Sequence, residues 1–220
     1  MAGRARDLPA LVQRCGQQMI CYRWAMAATT ILALITGYLL GSIPFGLLLT
    51  RWTGKGDIRD IGSGNIGATN VLRTGSKGLA AATLLLDLAK GAAAVLIAQQ
   101  LWPDAVNYAA AGALIGHLYP AWLKFKGGKG VATLLGILLP LFWQAALVYV
   151  LLWAGLLLII RISSIAGMAA AASAPVTAAI LQVQALFPML LGFALLVIWQ
   201  HRENIRRLAR GEEPRVGKTG

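Results

Sequence analysis

Apolar residues fall into long runs separated by short polar, glycine-bearing segments. Charge-free windows cover residues 25–50, 91–101, 105–123, 131–160 and 162–200. A helix needs roughly 20 apolar residues to cross the hydrocarbon core, so several of these runs read as spans. Residues 78–101 form one span and 105–123 its return, turning at Trp102-Pro103-Asp104. As one straight helix, residues 131–160 would be about 45 Å long, too long for a core of about 30 Å. They therefore read as two short helices with a turn near Phe142-Trp143-Gln144, just after Pro140. Residues 164–181 and 186–199 make a last pair, turning at 182–184. With the opening span, the pattern predicts an all-α integral membrane protein of seven transmembrane helices. Pro44, Pro120 and Pro175 fall inside spans and suggest kinks whose freed backbone groups are satisfied by neighbouring helices.

Composition agrees: of 220 residues, 58% are hydrophobic and 13% charged, where a soluble domain is nearer a quarter charged. The net charge of +12 is localised. Arg51, Lys55, Arg59, Arg73 and Lys77 share one segment; Lys124, Lys126 and Lys129 share another. Arg161 stands alone, and Arg202, Arg206, Arg207, Arg210, Arg215 and Lys218 crowd the C-terminus. The positive-inside rule puts these four segments in the cytoplasm, with the N-terminus out and the C-terminus in. That rule, with attraction to anionic membrane lipid, accounts for any single one of these residues. Nucleic acid is not an expected partner, because no soluble fold presents the basic residues. Residues 1–24 disagree, since Arg4, Arg6, Arg14 and Arg23 favour an inside N-terminus. We expect the natural start at Met26, with 1–25 an N-terminal extension and 26–218 the membrane domain. Cys15 and Cys21 precede the first span, so the membrane core holds no thiol nucleophile.

Three segments carry chemistry. In residues 60–78, Gly62, Gly64 and Gly67 interleave with Ser63 and Asn65, a pattern in which backbone N–H groups converge on an anion. Thr69 and Asn70 add neutral hydrogen-bonding groups, and Arg73 lies three residues after Asn70, on one face of a helical turn. A guanidinium fork and amide donors, with no acid close by, suit a phosphate. In residues 124–136, Gly127-Gly128-Lys129-Gly130 enters a helix, an anion site by geometry and dipole, with Lys126 as a second cation. No Ser or Thr follows Lys129, so this is not a Walker A loop. In residues 201–213, a continuing helix would place His201, Asn204, Ile205 and Leu208 on one inward face. Glu203 and Arg207 would pair at i,i+4. From Arg210 onward, an amphipathic tail on lipid head groups is expected. Asp87 and Lys90 read as a structural ion pair within a span, and His117 as a bundle hydrogen bond.

No G-x-S-x-G elbow, H-E-x-x-H motif or metal-ligating cluster occurs, and no cofactor is implied. Neither histidine has aspartate at the fifth position after it, which excludes an acyltransferase using a His-x4-Asp base.

Together "GSIPFG" (41–46), "GSGNIGATNVLR" (62–73), "DLAKG" (87–91), "GHLYPAW" (116–122), "FKGGKGVAT" (125–133) and "HRENIRRL" (201–208) resemble the bacterial acyl-phosphate:glycerol-3-phosphate acyltransferases. The resemblance covers about residues 26–218. It implies a seven-span enzyme of the bacterial inner membrane whose active site faces the cytoplasm. Such an enzyme moves a fatty acyl group from acyl phosphate to the 1-hydroxyl of glycerol 3-phosphate. It also implies that Ser63, Asn65 and Arg73 contact phosphate, that Lys126 and Lys129 belong to the glycerol 3-phosphate motif, and that His201 and Asn204 are active-site residues. Two other classes compete: a transporter of phosphate esters, and an acyltransferase using acyl-CoA or acyl carrier protein.

Overall fold

The computed structural model describes residues 8–217, with side chains at Met19 and from Tyr22 onward. Cys15, Cys21, Arg4, Arg6, Arg14 and Lys218 therefore lie outside the described residues or side chains. The described chain is helical throughout: α1 (Leu8–Gly41), α2 (Phe45–Trp52), α3 (Ala68–Leu72), α4 (Lys77–Leu101), α5 (Val106–Leu118), α6 (Val131–Leu141), α7 (Trp143–Ile160), α8 (Ser163–Ile180), α9 (Phe187–Gln200) and α10 (Arg202–Ala209). Four segments are long and apolar enough to cross a membrane by themselves: 22–52, α4, α7 and α8. The thirty-residue run 131–160 divides at Phe142, between α6 and α7.

Two prolines do more than kink. The opening run breaks at Ser42-Ile43-Pro44 into α1 and α2. Pro44 supplies no N–H, and the freed carbonyls find partners elsewhere. Ile43 accepts from Lys90 Nζ at 2.8 Å, and Ser42 accepts from Trp122 Nε1 at 2.9 Å. Pro120 ends the third apolar run early, so α5 stops at Leu118, five residues short of the sequence reading. The Tyr38 hydroxyl holds this stop, donating to the Tyr119 carbonyl and accepting from Ala121 N–H, both at 2.9 Å. Pro175 stays inside an unbroken α8.

Lipid offers apolar side chains no hydrophobic reason to pair, so helices associate where small residues let backbones close. Here the small residues interlock. A Cβ on Gly37 or Gly41 of α1 would lie 2.1 and 2.0 Å from the Ala109 and Ala113 carbonyl oxygens of α5. Conversely, a Cβ on Gly112 or Gly116 of α5 would lie 2.2 and 2.3 Å from the Leu34 and Tyr38 oxygens of α1. Gly91 of α4 and Gly136 of α6 repeat the arrangement against Thr133 and Leu88. Leucine, isoleucine and alanine from α5, α6, α8 and α9, with Tyr149 of α7, fill the main core.

Candidate active site

The chemistry-bearing segments meet at one cavity of about 820 Å³. The first contributes a loop that its own side chains build. Asp57 caps the short turn 58–60 through Arg59 N–H, and Arg51 and Arg59 both pair with it at 2.6 Å. Hydrogen bonding from Arg59 holds the Asp57 carboxyl well below the usual carboxylate range. Ile58, Ile66 and Val71 are buried and anchor the loop to Leu47 and Ala80. Asn65 Oδ1 accepts from Gly67 N–H at 2.9 Å, an Asx turn that leads into α3.

Asn70 is the keystone of this loop, not a free ligand. Its Nδ2 lies 2.9 Å from the carbonyls of Ile58, Ile61 and Asn65, and its Oδ1 accepts from Ser63 N–H at 3.1 Å. That exhausts its donors, so substrate binding, the sequence reading, passes to its neighbours. Ser63, Asn65, Gly67, Thr69 and Arg73 line the cavity with it. Gly62 and Gly64 do not line it. Both are left-handed, at φ +57° and +66°, and a Cβ on Gly62 would lie 2.5 Å from Arg73 Nη1. Gly62 thus makes room for the Arg73 side chain.

The second segment departs further from expectation. Gly127 and Gly128 N–H groups donate to the Leu118 and His117 carbonyls at 3.1 and 3.0 Å, closing the end of α5. They are not available to an anion. A Cβ on Gly128 would lie 2.0 Å from His117 Nε2, so glycine is required for close packing. Lys126 is exposed and off the cavity. Lys129, Gly130 and the first turn of α6 do line it. Gly130, at φ +84°, starts that helix, whose leading N–H groups face no backbone partner. Burial pulls Lys129 down to about 8; Glu213 opposes this, and Arg207 and Arg73 add to it.

The third segment brings His201 and Asn204 inward, both buried. Ile205, expected beside them, is 42% exposed. His201 Nδ1 lies 2.8 Å from the Val197 carbonyl, which can only accept, so the proton sits on Nδ1 and Nε2 carries a lone pair. Burial drives His201 down to about 4, so the ring is neutral at pH 7.

Glu213 is the residue the sequence reading missed. The chain does not run on along lipid after Arg210. It turns at Gly211, φ +71°, and returns over the cavity. Glu213 accepts from Ser164 Oγ at 2.7 Å, Asn204 Nδ2 at 2.5 Å and Arg207 Nε at 2.7 Å. Partial burial pushes its carboxyl up, but these hydrogen bonds outweigh burial and hold it below the ordinary value. Arg207 therefore pairs with Glu213, and Glu203 pairs with Arg206 at 2.6 Å instead of Arg207. Lys129 Nζ completes the network by donating to Asn204 Oδ1. The expectation of a site without an acid is corrected: a carboxylate orders its cations. The signal was Gly211 with Pro214 three residues on, which stops a helix and turns the chain.

Behind the Lys129 loop sits a buried polar cluster. Lys90 Nζ lies 2.7 Å from Asp87 Oδ1, the ion pair expected from the sequence, but His117 Nδ1 lies 3.7 Å from the same oxygen, too far for the bundle hydrogen bond expected of it. Among the described residues no group of His, Cys, Asp and Glu is placed to hold a metal ion. Asp87 and His117 of this cluster also reach the cavity wall, as do Lys77, Ser163 and Ser164, and Leu84, Val131, Ala132 and Trp153 give it an apolar stretch.

Known proteins share this sequence and architecture. The family described as Glycerol-3-phosphate acyltransferase matches residues 31–211. A glycerol-3-phosphate acyltransferase of Mesorhizobium japonicum is 55% identical over 190 residues, 86% of this chain and 97% of that protein. One of Erythrobacter litoralis is 56% identical over 186 residues, 84% and 94% of the two chains. The crystal structure of PlsY (YgiH), an integral membrane glycerol 3-phosphate acyltransferase, in its glycerol 3-phosphate form superposes with a TM-score of 0.81. It is 37% identical, over 86% of this chain and 96% of that one. Its lysophosphatidic acid form superposes at 0.78 with 36% identity, over 86% and 95%. With residues 31–211 of its 220 matched by the family and its fold shared, the chain belongs to the glycerol-3-phosphate acyltransferases, membrane-embedded enzymes built of apolar helices.

Proposed function

We propose that this enzyme transfers a fatty acyl group from acyl phosphate directly to the 1-hydroxyl of glycerol 3-phosphate. The products are lysophosphatidic acid and inorganic phosphate, the first acylation of phospholipid synthesis. The observation that carries this reading is convergence. Arg73, Lys129 and the His201–Asn204 pair come from three distant segments, yet line one cavity with an apolar wall. Two phosphate head groups repel each other, and several fixed cations offset that repulsion. The apolar wall suits an acyl tail. The volume lies within the usual range for small-molecule sites, roughly 300–1,000 Å³.

Acyl phosphate is a mixed anhydride, already activated, so no enzyme nucleophile is required. The substrate hydroxyl attacks the acyl carbon, the C–O bond to phosphate breaks, and the ester bond forms. Arg73, Ser63 and the Asn65–Thr69 turn hold one phosphate. Lys129 and the first turn of α6 hold the other, with Asn204 fixing the ammonium. These groups act by positioning and by meeting charge as it leaves on phosphate. The proton goes to phosphate in preference to His201. Burial lowers the His201 imidazole, to about 4, which disfavours protonating it, whereas a substrate phosphate, with a second pKa of about 6, can take the proton. His201 Nε2 instead accepts a hydrogen bond that orients the hydroxyl. Glu213, tied to three donors, orders cations and takes no proton.

We assign the membrane domain to residues 26–218, with the natural start at Met26, a seven-span topology, N-terminus out and C-terminus in. The site then faces the cytoplasm of a bacterial inner membrane. The meeting of the loops after α2, α5, α7 and α9 at one cavity supports an even number of crossings between them. N-terminal sequencing of the native protein tests the start; a mature chain beginning at Ala2 refutes it. Membrane-impermeant labelling of Asn65→Cys and Lys126→Cys tests the topology, and labelling from opposite sides overturns it.

The reaction is tested with purified protein in detergent, given glycerol 3-phosphate and, separately, acyl phosphate, acyl-CoA or acyl carrier protein. Lysophosphatidate from acyl phosphate alone is expected. Product from either thioester assigns the other donor and overturns the acyl-phosphate reading.

A further inference from the structure

Residues 211–217 run back from the end of α10 along the cavity, between Gly211 and Gly217, both left-handed at φ +71° and +84°. Two pins hold this strap. Glu213 is bound by Ser164, Asn204 and Arg207. Val216 N–H donates to the Arg161 carbonyl at 2.7 Å, at the turn between α7 and α8. Arg215 stands between the pins and lines the cavity. Neighbouring arginines are spent on the tail's own acids: Arg206 on Glu203, Arg207 on Glu213, and Arg210 beside Glu212. Arg215 has no such partner among the described residues. A solvated tail does not need two pins around an uncompensated guanidinium. A binding site does, because backbone ordered beforehand lowers the entropy cost of capturing a ligand.

We propose that Arg215 is a substrate-binding residue, held by the strap at the cavity so that its guanidinium pairs with a substrate phosphate. The ligand chemistry is a terminal phosphate group, which guanidinium forks in two parallel hydrogen bonds. Both glycerol 3-phosphate and acyl phosphate carry one. The proposal rests on the acyl-transfer reading above and extends it to a segment outside the three motif loops.

The test measures KM for each substrate with the full chain in detergent, for wild type, Arg215→Gln, Arg215→Lys and Val216→Pro. Proline deletes the strap's N–H pin and keeps the guanidinium. Arg215→Gln is expected to raise one substrate's KM at least tenfold while kcat changes less than twofold. Arg215→Lys recovers part of the loss, and Val216→Pro raises the same KM. A rise confined to glycerol 3-phosphate assigns the acceptor's phosphate; one confined to acyl phosphate assigns the donor's. Unchanged KM for both substrates in Arg215→Gln overturns the proposal, and a normal KM in Val216→Pro overturns the strap's part in it. A wild type that makes no product from this substrate pair fails the acyl-transfer reading instead. Calorimetric titration with glycerol 3-phosphate and with inorganic phosphate then decides Arg215: weaker binding of either in Arg215→Gln sustains its role, and equal binding of both removes it.

Discussion

The Lys129 ammonium donates to the Asn204 amide oxygen, joining the loop before α6 to α10, which lies seventy-five residues on. The same amide donates to Glu213, so a carboxylate fixes the asparagine and the asparagine fixes the cation. Lys129 keeps two further N–H donors for a ligand.

Removing a cation from this arrangement removes a charge-assisted contact to phosphate. Lys129→Ala and Arg73→Ala are each expected to lower kcat/KM more than tenfold, on the scale of roughly 2–4 kcal/mol. Steady-state assay of the purified variants checks this.

The pH profile follows from Lys129. Burial lowers it to about 8, and on the proposed reading only the charged ammonium binds phosphate well. Binding is therefore intact below pH 8 and lost as pH rises through it. KM for glycerol 3-phosphate should climb about tenfold between pH 7 and 9 in wild type. Lys129→Arg should flatten the climb, because guanidinium stays charged throughout.

If His201 orients the hydroxyl and phosphate takes the proton, as proposed, His201→Ala should lower turnover yet leave measurable activity. Wild-type rates in the variant would remove His201 from the mechanism.

Gly128→Ala tests the packing behind Lys129. Its Cβ would lie 2.0 Å from Nε2 of the buried His117 ring, so the loop or the ring must give way. The loop should shift and carry Lys129 with it, raising KM for glycerol 3-phosphate at least tenfold. Adding His117→Ala opens the space and should restore part of the affinity.

Hydropathy made the helices legible because hydrocarbon forces every backbone polar group into an internal hydrogen bond. The division at Phe142 was readable from length alone. The convergence of Ser63, Asn65, Thr69, Arg73, Lys129, His201 and Asn204 on one cavity was legible in outline, because polar and basic residues beside glycine turns suit an anion. The part Asn70 plays in building the loop was not legible, because a buried amide that does so looks, in sequence, like one that only binds a ligand. Gly127 and Gly128 were misread for a related reason: glycine marks close approach but does not say to what, and here the neighbour is His117. Glu213 was missed because its role depends on the chain turning back at Gly211, a long-range return that local periodicity does not encode.

If one cavity holds both phosphate head groups at once, as proposed, the acyl group passes directly between them. Initial velocities measured while varying acyl phosphate at several fixed concentrations of glycerol 3-phosphate test it most directly. Intersecting double-reciprocal lines, with no phosphate released until glycerol 3-phosphate is added, are predicted. Parallel lines with a burst of phosphate from acyl phosphate alone would mean that the enzyme carries the acyl group itself, and would contradict it.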